Sequence, residues 1–141
     1  MAIIDYFLQL ASSQAFTSTG LGLKSVDFGS VRQLGLIDEG LFLVVSVETA
    51  ADSTTGDETY EFQIITSAAA GLGSPTVLNS KTVAAADLGK GAQVTLVTPM
   101  EGMKEFVGLN VVLGGTTPSI TISAYLTSEL PQANISYPAG I

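Results

Sequence analysis

Two stretches of this chain alternate so regularly that they leave little freedom in the fold. Val107, Leu109, Val111 and Leu113 share one parity, and Ile120, Ile122, Ala124 and Leu126 share another. A period of two puts each set on one face of a β-strand, where a helix would scatter it around its circumference. Gly114-Gly115-Thr116-Thr117-Pro118 lies between the runs, and the arrangement predicts a hairpin. From Phe106 to Ser128 no residue is charged, a length that could cross a bilayer. Its glycines, hydroxyls and proline, with almost no flanking Lys or Arg, point instead to two strands and a turn, so no membrane partner is expected.

The rest of the chain continues the theme. Twenty-nine Ser or Thr and twenty Gly or Pro are spread between short β-branched runs rather than collected in one linker, which is the spacing of a sandwich or barrel. Leu41 to Val47 is too apolar for a surface strand and predicts a central one, with Glu48 marking its exit from the core. Tyr60-Glu61-Phe62-Gln63-Ile64 reads as half-buried. Weaker strands are expected at 15–19, 25–28, 75–78 and 93–97, for eight in all, with a short helical turn at 84–88. At 141 residues the chain makes one domain.

Composition removes whole classes of chemistry. Without Cys or His there is no thiolate or imidazole metal site, no disulfide and no Ser-His or Cys-His relay. A net charge of −8 repels phosphate, so nucleic acid is not an expected partner. Asp52, Asp57 and Glu58, and separately Asp38 and Glu39, could form a cation site or a catalytic pair. Solvated turn residues are the simpler reading, because the spacing imitates a calcium loop only in part. Gly20-Leu21-Gly22 and Gly71-Leu72-Gly73 lack the remaining elements of a dinucleotide or phosphate loop and read as turns. Asn134-Ile135-Ser136 matches a glycosylation sequon, but Asp5 stands where a basic leader region belongs, and a cytoplasmic origin is expected. No catalytic residue, metal or cofactor is assigned, and the chain is not expected to be an enzyme.

The ends differ from the middle. Met1 to Leu10 holds Ile3, Ile4, Tyr6, Phe7, Leu8 and Leu10, more apolar surface than a free terminus should expose. A short helix and an extended arm both fit. The tail after Leu126, with two prolines and no period, predicts an irregular strap. The expected organisation is an arm over 1–12, a β-domain over 13–128 and a strap over 129–141. Ile3, Ile4, Tyr6 and Phe7 in the arm, and Ile135, Tyr137 and Ile141 in the strap, are the candidate contact residues. Two destinations remain open for them: a neighbouring subunit, or their own domain.

Three groups of residues then carry a resemblance. They are Ser25-Val26-Asp27-Phe28-Gly29 with Gly40-Leu41-Phe42-Leu43-Val44-Val45; Ser74-Pro75-Thr76-Val77-Leu78 with Ala86-Asp87-Leu88; and Ala124-Tyr125-Leu126-Thr127 through Tyr137-Pro138-Ala139-Gly140-Ile141. In order and over nearly the whole length, they resemble the small jelly-roll capsid cement (decoration) proteins of short-tailed bacteriophages, of the Bordetella-phage type. The resemblance implies an all-β, eight-stranded antiparallel jelly-roll sandwich on the outer surface of the virion. It also implies the major capsid protein as partner and a homo-oligomer, a homodimer ahead of a homotrimer. The alternative is a jelly-roll carbohydrate- or receptor-binding module of a phage or bacterial surface.

Overall fold

The Leu41–Val47 run becomes the interior of a sheet, hydrogen-bonded along both sides, which is why it tolerates three consecutive buried residues, Leu43, Val44 and Val45. The computed structural model describes residues 9–28, 41–99 and 102–127. It contains nine strands: β1 (Gln9–Phe16), β2 (Gly20–Leu21), β3 (Val26–Asp27), β4 (Phe42–Thr49), β5 (Thr59–Ser67), β6 (Thr76–Val83), β7 (Gln93–Val97), β8 (Phe106–Gly114) and β9 (Ile120–Thr127). One sheet has the order β1-β9-β4-β7. The other has the order β2-β8-β5-β6, with β3 also on β8, and all pairings are antiparallel. The chain passes from sheet to sheet at every connection except β2–β3 and β5–β6, which is jelly-roll topology. The expected helical turn is a 3-10 turn at Ala85–Asp87.

The alternating sets face one shared core. Val107, Leu109 and Val111 meet Ile120, Ile122, Ala124 and Leu126, together with Leu43, Val45, Val47, Tyr60, Phe62 and Ile64. The expected hairpin is nevertheless wrong. β8 pairs with β5 from Thr59↔Gly114 to Ser67↔Phe106, while β9 pairs with β4 and β1, so the two runs stand in opposite sheets. Alternation decides which face turns inward and carries no information about which strand lies alongside. The connecting turn is held by the β4–β5 loop instead: Asp57 accepts bonds from the Thr116 amide at 2.9 Å and the Thr116 hydroxyl at 2.8 Å.

The count of eight is corrected to nine. β2 and β3 run along the same edge of β8, through Gly20↔Val111 and Val26↔Val107, as one edge strand interrupted at residues 22–25. The interruption has a steric cause. The Gly22 amide still donates to the Leu109 carbonyl, but the Lys24 amide turns to the Leu10 carbonyl of the other sheet. A Cβ on Gly22 would stand 2.8 Å from that same Leu10 oxygen, so only glycine allows the two sheets to approach there. The strand expected at 15–19 is also displaced. It begins at Gln9, and Leu10 and Ala11 are buried, so the last four residues of the expected 1–12 arm belong to the sheet.

Two pairs leave the simple inside-outside pattern. Val44 and its cross-strand partner Tyr125 lie outside the core cluster, yet they are only 0% and 5% exposed. On the other sheet Ile65 faces Gly108, and Leu72 folds from the β5–β6 loop onto that glycine, where any Cβ would collide with its Cδ1 atom. Ser67 shapes this loop, donating to the Gly73 carbonyl at 2.5 Å and accepting from the Ala69 amide at 3.1 Å.

Candidate interaction surface

The two ends of the sandwich are built differently. At one end Tyr60 ties the loops together: its hydroxyl reaches the Asp52 carbonyl at 2.6 Å and accepts from the Ser119 amide at 3.1 Å. Burial raises the phenol above its ordinary value, with Asp52 and Glu58 adding repulsion to the ionised form. The three neighbouring carboxylates are engaged within the same loops. Asp52 accepts from the Thr54 hydroxyl, Glu58 from the Thr55 and Gly56 amides, and Asp57 from Thr116, whose amide and hydroxyl hold the Asp57 carboxyl below the usual range. These contacts organise turns, as expected of residues in such loops. A cleft of about 490 Å³ beside them is lined by Ser53, Glu58, Thr59, Thr82 and small aliphatic residues, without an aromatic ring.

A second polar cluster sits on the solvent face of the first sheet, and sequence reasoning missed it. Ser13 has a positive φ of 44° at the irregularity of β1; its amide donates to the Ser123 hydroxyl at 2.9 Å and its own hydroxyl to Glu48 at 2.7 Å. Ser123 donates to the second oxygen of Glu48. The two hydroxyls, Ser123 first, hold the Glu48 carboxyl below its usual value. Glu48 lies 35 residues from Ser13 and 75 from Ser123, so no local pattern could have joined them.

The opposite end is where the chain leaves the described body. β1 begins there at Gln9, opposite Tyr125; β9 ends at Thr127, opposite Phe42; β7 ends at Val97, also opposite Phe42. Phe28 follows β3 beside the start of β8, bonded from its amide to the Glu105 carbonyl. Apolar side chains reach solvent near this end: Val97 is 57% exposed on β7, and Val77 is 46% exposed at the start of β6. A groove of about 260 Å³ follows the beginning of β1, lined by Gln9, Leu10, Ala11, Ser12, Leu23 and Lys24, and Leu23 is 65% exposed.

The contact residues expected from sequence, Ile3, Ile4, Tyr6, Phe7, Ile135, Tyr137 and Ile141, all lie outside the described residues, as do Asp38 and Glu39. The structure does show that residues 1–8 and 128–141 join the body on neighbouring strands, next to the Gln9↔Tyr125 pair. The exposed apolar positions on β6 and β7 had no sequence signal, because alternation predicts a face and not the depth of its cover.

Compared with known families, residues 10–126 match the family model described as Bbp16. This span runs from the second residue of β1 to the last but one of β9, and so takes in both sheets. No curated protein matches the chain.

Proposed function

The chain belongs to the Bbp16 family, and we propose that it is a structural virion protein, a cement that binds the outside of a phage head and clamps neighbouring major capsid protein subunits. The family match over the whole two-sheet body carries this reading, and it is consistent with the Bordetella-phage resemblance of the sequence.

The proposed mechanism is mechanical and involves no enzymatic step. Packaged DNA presses on the shell, and a clamp across a seam must release before the seam opens, so each bound copy adds its binding free energy to the barrier. Ile3, Ile4, Tyr6, Phe7, Ile135, Tyr137 and Ile141 supply the apolar contacts, to the shell or to a sister copy. A homodimer is the preferred assembly, with a homotrimer second. The protein is made in the host cytoplasm and ends on the capsid exterior. The carbohydrate-binding alternative gains nothing from the larger cleft, whose lining offers no ring for a sugar to stack on.

The test is the composition of purified phage heads. The protein is expected there in numbers comparable to the shell subunit. Heads that lack it, or a purified protein that binds glycans and ignores heads, would overturn the reading.

A further inference from the structure

We propose that the β5–β6 loop is a two-state latch: Leu72 plugs a socket on the outer face of the second sheet, and its withdrawal uncovers Ile65 and the groove at Gly108 while both sheets stay intact.

Two residues that are unfavourable where they stand meet at one contact. Gly108 lies inside β8 between the core residues Val107 and Leu109, where a glycine weakens a strand and has no side chain to pack. The three atoms nearest to a Cβ added there all belong to Leu72: Cδ1, which it would strike, and Cδ2 and Cγ at 3.4 Å. Leu72 itself has a φ of +59° and Ser74 one of +46°, a left-handed backbone that is strained for side chains other than glycine. The glycine makes room for the leucine, and the leucine reaches that room only through a strained turn.

Little else holds the loop down. From 68 to 77 every residue except Leu72 is exposed. The bond from the Ser25 hydroxyl to the Ala70 carbonyl, at 2.8 Å, is open to water, and the bond from the Leu72 amide to the Ala69 carbonyl, at 2.9 Å, lies within the loop itself. Burial of Leu72 favours the closed form and the strain at 72 and 74 opposes it. A segment anchored by one buried side chain opens separately from the strand ladders beneath it. Ile65, only 1% exposed and outside the core cluster, stands opposite both Gly108 and the exposed Val77. Opening therefore joins Ile65 to Val77 in one apolar row across β6, β5 and β8, a row that the closed latch keeps from water.

The chain has no cysteine, so a single introduced thiol reports the opening of its own position. In the full chain, Ile65→Cys should react with a thiol reagent in native buffer about tenfold faster or more than Ile64→Cys, which faces the core and waits for global unfolding. Adding Leu72→Ala, or Gly108→Ala to fill the socket, should speed the first reaction by about tenfold again and change the second far less, with the β-sheet circular dichroism spectrum kept. Adding Ser74→Gly relieves strain in the closed form and should slow the first reaction about threefold. Hydrogen exchange on the wild-type protein gives a readout free of substitutions: the Ala69 and Leu72 amides should exchange through an opening that low urea does not accelerate. Equal labelling at 65 and 64, labelling at 65 that ignores both socket variants, or loss of the β-sheet spectrum in either of them overturns the latch and makes the loop a fixed part of the sandwich.

Discussion

Replacing Tyr60 by Phe removes a single oxygen from the point where the loops of Asp52 and Ser119 meet, the latter 59 positions from Tyr60. That oxygen donates toward the Asp52 carbonyl at 2.6 Å and accepts from the Ser119 amide at 3.1 Å, while the ring beneath it is fully buried. Losing a net bond costs about 1 kcal/mol, and leaving the Ser119 N–H without an acceptor costs about as much again, for a total of about 2 kcal/mol. The neighbouring Asp52 amide to Ser119 carbonyl bond, at 2.9 Å, survives and holds the loops near their places. At about 2.1 cal/mol/K of unfolding entropy per residue, this loss lowers the melting temperature by about 7 °C. In urea the midpoint should drop by about 1 M with an unchanged slope.

The same residue makes an alkaline prediction. Burial raises the folded-state phenol above 10.0, so its contribution to stability is full below that value and is lost as pH rises past it, because the unfolded chain releases the proton more readily. Tyr125, also raised by burial, adds to the decline. In Tyr60→Phe the decline should be shallower. Urea titrations at pH 7 and between pH 9 and 11 measure both effects. A loss below about 0.5 kcal/mol at pH 7, within the range of substitutions that touch nothing, would refute the bridging role of this hydroxyl.

Three other outcomes follow from the geometry. Gly115→Ala should cost about 3 kcal/mol, because φ is +89° and the new Cβ would strike the Asp57 carbonyl; Gly56→Ala, at +85° in open space, should cost about 1 kcal/mol. Equal losses in thermal melts would contradict this steric account. Glu48→Gln should lose about 1 kcal/mol at pH 7, a modest figure because water reaches the carboxylate. Its carboxyl is depressed in the folded state, so that stability is present above the usual 4.5 and lost as pH falls through the folded value; wild-type and variant curves should therefore converge in acid. Deleting residues 1–8 should weaken head binding and leave the circular dichroism spectrum intact, whereas extending the deletion through Ala11 should also destabilise the fold, since Leu10 and Ala11 are core residues.

Much of the candidate surface was out of reach of local pattern. The seven apolar residues near the termini are visible in the sequence as a surplus of greasy side chains, but they lie outside the described residues, and the sequence leaves both a neighbouring subunit and their own domain open as their destination. Tyr60, Glu48 and Ser13 act through residues between 8 and 110 positions away, so only the folded chain defines what they do. Gly22 looked like one of several turn glycines; its requirement comes from the Leu10 carbonyl of the opposite sheet.

What the sequence determined by itself is the burial parity: Val107, Leu109, Val111, Ile120, Ile122, Ala124 and Leu126 face the core, and Leu41 to Val47 runs through it. Period-two alternation is a local property and survives any choice of partner strand. Tertiary structure alone decided that the two most regular strands part company at Gly115 and enter opposite sheets. It also decided that both terminal segments leave from neighbouring strands at one end. Strand pairing and chain exits depend on closing contacts between distant residues, and the energy that selects among those closures is summed over the whole core rather than written in any one segment.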